Sequence, residues 1–412
     1  MAEKTFYDIH MHAFNLSHPY LLAFIQRLKL PQILILNSLL GPLASFVIGK
    51  NLNKVKNMLA VMENDLGSFF LLIEDYLKRS DKGPLVSDGK LLIGNNVYSR
   101  IVLTPLLMDF GYKGITVSQN TYYNELSQKP IVEQVVDVFN GINKYRKESP
   151  DHLLEILPFM GLTTSNYNLD PEKTRGRLDI MLEKYFGNYR GSHKMLHDST
   201  VEFDGEINNL GGNRFAGIKV YPPLGFDPWP DKEDELRKVR YLYSFCEKRS
   251  IPVTAHGSES GFVVVPKREV RNYTAISKWR RVLENYPRLK LNLAHFPIGE
   301  KSIWVFPKKR RLREVLGLIR DYDNVYVDFS CRAINDRYYV LLKGLLESMP
   351  PDLKKKLNER ILFGSDFTVN LMSIESYNKY LELFSRTTTL NDSEKDSFCR
   401  TNPERFLFAS PD

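Results

Sequence analysis

Cysteine is scarce: Cys246, Cys331 and Cys399 are the only three in a chain of 412 residues. They are odd in number, far apart and without CxxC spacing, so neither a disulfide framework nor a thiolate zinc site can be read from them, and a reducing, cytoplasmic setting is expected. The opening residues, Met1 to His10, lack the apolar stretch and small-residue cleavage site of a secretory signal, so export is not expected. Long apolar runs are missing as well. The nearest approach, within 30–48, is broken by Asn37, Ser38, Gly41, Pro42 and Ser45 and falls short of the roughly 20 apolar residues that a spanning helix requires. We read it as a buried or oligomer-forming helical segment, with membrane contact as the less favoured alternative, and a homo-oligomer is expected. Ser/Gly-rich linkers and internal repeats are absent, and 12% aromatic residues exclude a disordered or collagen-like chain.

Acidic residues are outnumbered, 49 against 57 Lys and Arg, for a net charge of +8. Part of the excess is local: Lys267, Arg268 and Arg271; Lys278, Arg280 and Arg281; Lys308 to Arg311 with Arg313. These runs read as solvated faces that also concentrate an anionic small-molecule substrate. They lack the interleaved aromatic platforms of single-strand binders, so nucleic acid is not the expected partner.

Eight short apolar runs, rich in β-branched residues, recur along the chain: Phe6–His10, Arg100–Met108, Leu153–Met160, Phe215–Tyr221, Ile251–His256, Leu289–His295, Val325–Ser330 and Ile361–Asp366. Between them lie stretches with helical spacing, such as Leu236, Val239, Leu242, Tyr243 and Cys246 within 233–249, and Leu312, Val315, Leu316 and Ile319 within 312–322. Strand and helix alternating eight times describe a (β/α)8 TIM barrel better than an open sheet, and such barrels run to roughly 200–400 residues as one unit. A single domain over 1–412 is therefore expected. Two intervals are too long for plain crossovers, so helical insertions are expected after the first strand, at about 13–99, and after the third, at about 163–214. The first reads as several helices, including Asn53–Leu66 and Phe69–Leu77, lying over or beside the C-terminal face.

Of eight histidines, four end a predicted strand: His10 and His12 on the first, His256 on the fifth and His295 on the sixth. Residues two apart on a strand share a face, so His10 and His12 aim at one point. Strand ends at the C-terminal rim of a barrel converge, and Asp366 ends the eighth strand, which adjoins the first when the barrel closes. Three imidazoles and one carboxylate suit Zn²⁺ or a similar divalent ion. Asp8 shares the face of His10 and is weighed as an orienting group against a packing role. His18, His152, His193 and His197 fall outside the set and read as surface or loop residues. His193 and His197 are four apart but have no matching carboxylate pattern.

The segments Asp8-Ile-His-Met-His12, Gly217-Ile-Lys-Val-Tyr-Pro-Pro-Leu-Gly225, Thr254-Ala-His-Gly257, Leu293-Ala-His-Phe296 and Phe363-Gly-Ser-Asp-Phe367, closing with Asn402-Pro-Glu-Arg-Phe406, resemble the amidohydrolase superfamily, and within it the amidohydrolase-2 branch. The resemblance covers nearly the whole chain, with 13–99 as the main departure, and speaks to fold and metal site rather than to substrate. It implies His10, His12, His256 and Asp366 as metal ligands. His295 would complete a second metal site or polarise the substrate. Lys219 is the ambiguous position: carboxylated, it would bridge two metals; unmodified, it would bind substrate or pack. The local context favours one metal. Asp109, Arg332 and Tyr221 are candidate substrate-binding residues, Arg332 as a fork for a carboxylate.

The expected function is a metal-dependent hydrolase acting on a small organic acid, lactone, ester or amide. Metal-bound water is acidified from a pKa near 15.7 towards about 7, with Asp366 as proton acceptor and His295 as polariser. The alternative is a nonoxidative decarboxylase of an aromatic or related acid; a phosphoesterase and a non-enzymatic scaffold stand below both.

Overall fold

A computed structural model describes residues 4–19, 56–79, 85–110, 130–173, 176–200, 203–299 and 306–408. The segment 30–48 and the start of the expected helix Asn53–Leu66 lie outside the described residues. β1 (Thr5–Met11) runs parallel to β2 (Arg100–Pro105), with Thr5 beside Arg100 and Asp8 beside Leu103. β2 pairs with the first half of β3 (Leu154–Ile156). Pro158, which has no N–H to give a ladder, interrupts β3, which resumes at Phe159–Gly161 and pairs with β4 (Gly217–Val220). The series continues in parallel through β5 (Val253–Ala255), β6 (Leu291–Leu293), β7 (Val325–Asp328) and β8 (Ile361–Leu362). Backbone hydrogen bonds then join the last strand to the first: Ile9 N donates to Phe363 O at 3.2 Å, and Asp366 N donates to His10 O at 2.7 Å. The chain is a (β/α)8 barrel.

Helices cover the outside of the ring. Glu233–Arg249 shows why they form: Glu233, Asp234 and Glu235 sit at its positive end and Lys248 and Arg249 at its negative end, while Leu236, Val239, Leu242, Tyr243 and Cys246 bury one stripe. The helix expected over 312–322 extends from Phe306 to Asp321.

The interval after β1 holds a helix, Leu66–Lys78, whose Asp65 cap accepts from Gly67 N and Ser68 N. It also holds a three-stranded antiparallel sheet: Val86–Ser87, Lys90–Ile93 and Asn96–Tyr98. Helices alone were expected there. The departure is driven by the Asp88-Gly89 turn, whose two residues both take positive φ, the requirement of a tight hairpin. Among the described residues, no helix is long and apolar enough to cross a membrane.

Candidate metal centre

The C-terminal ends of β1 and β8 meet at one point. Gly364 makes the approach possible, because a Cβ there would lie 2.7 Å from that of His10. One ligand-type atom each from His10, His12 and Asp366 lies within 4.8 Å of the others, and all three residues are buried. His10 Nε2 and His12 Nε2 lie 3.5 and 3.3 Å from Asp366 Oδ1.

Hydrogen bonding at the far side of each ring sets its tautomer. His12 Nδ1 lies 2.9 Å from the Leu106 carbonyl, which only accepts, so Nδ1 carries the proton. His10 Nδ1 faces the Asp328 carboxylate at 2.9 Å and is likewise the protonated nitrogen. Both Nε2 atoms therefore present lone pairs, and that of His10 is buried without a hydrogen-bond partner. Asp366 is held well below the usual carboxylate range although burial pushes it up. Two bare imidazole nitrogens and an anionic oxygen crowd together with no donor between them. Such a set of atoms fits a divalent cation.

His256 stands apart from these three. Its Nε2 lies 2.6 Å from the Ser260 carbonyl and its Nδ1 3.1 Å from His295 Nε2. Burial first, then His295 and Lys219, push its pKa well below the ordinary histidine value. His295 Nδ1 donates to Ser330 O at 3.0 Å, and burial pushes the ring down to about 3. His295 is thus neutral with its Nε2 bare. A polarising role would need a proton on that nitrogen; with Nδ1 donating to Ser330 O, Nε2 is placed to accept.

Lys219 is 1% exposed and its Nζ has no hydrogen-bond partner. Burial lowers its pKa to about 8, against the pull of Asp328 and Asp366. Its Nζ lies 5.5 Å from the centre of the Tyr221 ring, which stacks on His256 at 4.1 Å.

These groups open into a cavity of about 880 Å³ lined by His12, Tyr221, His256, His295 and Asp366. Phe262, Val265 and Val270 give it an apolar wall, and Lys267, Arg271 and Arg332 bring cations to it. Asp109, a candidate contact from sequence, is not among the lining side chains; its Oδ2 accepts from Thr163 N at 3.1 Å and Asn166 Nδ2 at 3.0 Å. Asp8 accepts from Ser365 N at 2.9 Å, His10 N at 3.3 Å and the Tyr377 hydroxyl at 3.1 Å, so it ties β1 to the segment after β8.

The loop after β5 rests on this stack. Tyr221 Oη accepts from Phe262 N at 3.1 Å. Gly261 has φ +112, and a Cβ there would come within 2.1 Å of Tyr221 Oη and 3.2 Å of the His256 ring. Gly261→Ala is expected to destabilise the protein by on the order of 1–3 kcal/mol, read as a lower denaturant midpoint at unchanged slope.

The sequence profile of the amidohydrolase family matches residues 189–409. The chain belongs to the amidohydrolase family. The matched part carries Lys219, His256, His295 and Asp366, and β1 with its two histidines precedes it. No curated protein matches this amidohydrolase by sequence. Among solved structures it is similar to a 5-carboxyvanillate decarboxylase from Novosphingobium aromaticivorans, in complex with manganese and 4-hydroxy-3-methoxy-5-nitrobenzoic acid, at 10% identity and TM-score 0.47, over 98% of this chain and 96% of that one. It is also similar to the 4-oxalomesaconate hydratase LigJ from Rhodopseudomonas palustris, at 12% identity and TM-score 0.44, over 98% and 95% of the two chains. The dihydroorotase of Campylobacter jejuni gives 12% identity and TM-score 0.38, over 98% and 83%.

Three residues at the rim escaped the sequence reading as functional neighbours: Asp328, Ser330 and Asn292, all fully buried. The pattern Val327-Asp-Phe-Ser330 was the only trace of Asp328 and Ser330, which share a face at strand spacing. Two other expectations are corrected. His18 is buried, not superficial, with Nε2 2.8 Å from Asp137 Oδ2. His193 and His197 do share a carboxylate, Glu155, at 2.9 and 3.0 Å.

Proposed function

We propose that this amidohydrolase is a metal-dependent hydrolase of a small, anionic organic acid, lactone, ester or amide. The observation that carries the reading is the buried, unpartnered Nε2 of His10 beside His12 Nε2 and Asp366 Oδ1, an all-acceptor group at the floor of the cavity. His10, His12 and Asp366 would hold the ion, with His256 joining them by turning its ring away from Ser260. A bound divalent ion, Zn²⁺ by the softness of the imidazole donors, supplies a Lewis acid that acidifies water and polarises a substrate oxygen. The protein's own part is to hold and move protons. Asp366, kept anionic, accepts one and returns it to the leaving group. Neutral His295, with its proton held by Ser330 O, offers a second accepting nitrogen beside it. Arg332, Lys267 and Arg271 favour a substrate whose acidic group lies toward the cavity mouth, and Phe262 with its valine neighbours favours an apolar body.

Unmodified Lys219 stays cationic near neutral pH and opposes a second ion, so about one metal per chain is expected by elemental analysis. Two per chain would point to a carboxylated Lys219. The activity arm compares hydrolysis of lactone, ester and amide panels with release of carbon dioxide from hydroxybenzoate-like acids. Hydrolysis supports the proposal. Carbon dioxide release without hydrolysis replaces it with a decarboxylase on the same donor set. A chain that takes up no divalent ion after chelation and reloading sinks both.

A further inference from the structure

Asp328 is fully buried at the end of β7 and receives five hydrogen bonds. Its Oδ2 faces His10 Nδ1 at 2.9 Å and accepts from Asn292 Nδ2 at 2.7 Å. Its Oδ1 accepts from His295 N at 3.0 Å, from Ser330 N at 3.1 Å and from the Ser330 hydroxyl. The serine has one hydroxyl proton and gives it to Asp328, so its lone pairs are left to accept. They lie 3.0 Å from His10 Nδ1 and 3.0 Å from His295 Nδ1. A single oxygen thus touches the proton-bearing nitrogen of both rings, and the ring centres of His10 and His295 are 5.0 Å apart. Both Nδ1 protons are thus held on the side of Asp328 and Ser330, which leaves the two Nε2 atoms as acceptors.

We infer that Asp328, acting with Ser330, is a positioning residue that fixes His10 and His295 together as Nδ1–H tautomers, so that both Nε2 lone pairs face the site. The tautomer part stands on the hydrogen-bond geometry alone, and only its consequence for metal affinity rests on the function proposed above. Asparagine cannot replace Asp328 neutrally. With its amide nitrogen toward His10, it donates to Nδ1 and drives the His10 proton to Nε2, closing that lone pair. With the amide reversed, its NH₂ meets the backbone N–H groups of His295 and Ser330. Either way one side of the network is broken.

The test uses ring ¹⁵N NMR of the metal-free full chain, zinc affinity by competition with a chromophoric chelator, and thermal melting as a control for folding. In the unsubstituted protein His10 and His295 should both be bare at Nε2. Asp328→Asn should move the His10 proton to Nε2 and weaken zinc binding by about 10–100-fold, the usual effect of losing such a partner. Ser330→Ala, which keeps the carboxylate, should retain both tautomers but shift both Nδ1 resonances together, because one hydroxyl serves both rings; this arm decides the matter if Asp328→Asn does not fold. An Nε2–H form of either ring in the unsubstituted protein overturns the inference. So does a folded Asp328→Asn with tautomers and zinc affinity unchanged, or a Ser330→Ala in which only one ring responds. Failure of the unsubstituted protein to bind zinc, with the tautomers as expected, overturns the metal proposal and the affinity consequence while supporting the tautomer assignment.

Discussion

Asp366→Asn is expected to lower turnover by about three orders of magnitude or more while leaving the folded state intact, since metal-assisted charge stabilisation is worth several kcal/mol and each ~1.36 kcal/mol is tenfold. The reason is specific to the geometry. Asp366 has φ +61, and asparagine is among the few side chains that tolerate the left-handed region, so the backbone is kept. The new amide brings N–H donors within reach of the His10 and His12 Nε2 atoms, 3.5 and 3.3 Å from the carboxylate oxygen it replaces. Those donors satisfy the lone pairs that the cation would take, so metal content should fall as well, and the metal-free protein should melt no lower than the parent. Elemental analysis, turnover on the best substrate of the panel, and a melting curve check the three parts. A variant that keeps its metal and its rate would remove Asp366 from the site.

Lys219→Met is expected to stabilise the metal-free protein by about 3 kcal/mol at pH 7, the value of moving a lysine from its usual pKa near 10.5 to about 8 at ~1.36 kcal/mol per unit. The sign follows from protons bound. At pH 7 both folded and unfolded lysine are charged, and the folded one carries the full cost of burial. As the pH rises above about 8 the folded lysine releases its proton while the unfolded one keeps it, so the parent gains stability relative to the variant. The gap should close near pH 10.5. Methionine has nearly the same length and asks for no hydrogen bond, so it fills the space without leaving another orphan. Denaturant titrations of both proteins at several pH values measure this directly. A Met variant that is less stable at pH 7, with no trend toward closure, would mean that Lys219 is held by a partner, as a carboxylated side chain bridging metals would be.

The barrel was legible because its signals are local. Every one of the eight β-branched runs falls on a barrel strand, and the helix expected over 233–249 forms there. After the first strand the ladders are shorter than the apolar runs that announced them, and the site explains part of this. His295, Cys331 and Asp366 have φ of 62, 58 and 61, so the chain turns out of the extended region just past β6, β7 and β8. The sequence marks His295 and Asp366 as chemistry but carries no sign that their backbone is left-handed, a conformation held by the rim around it. The small sheet at 86–98 had a readable cue in Asp88-Gly89 that the helical reading of the insertion passed over. The network around Asp328 was not readable in the same way. It joins β7 to β1 across a closed ring, and which polar residue of one strand faces which ring of another depends on register, which no single-strand pattern records. His193, His197 and Glu155 illustrate the same limit: the carboxylate that unites the pair lies 38 positions before His193.

Closure of the ring through β1 and β8 has a consequence for how the molecule is made. Asp8 and Ser365, hydrogen-bonded at 2.9 Å, are 357 positions apart, so the first strand leaves the ribosome long before its last neighbour has been translated. Until then its far edge is an unpaired strand of the kind that recruits other chains, and chaperone dependence should concentrate in that interval. The nascent polypeptide also holds two imidazoles without their carboxylate, so an ion held as proposed above would be captured by the finished fold, after synthesis, rather than guide it.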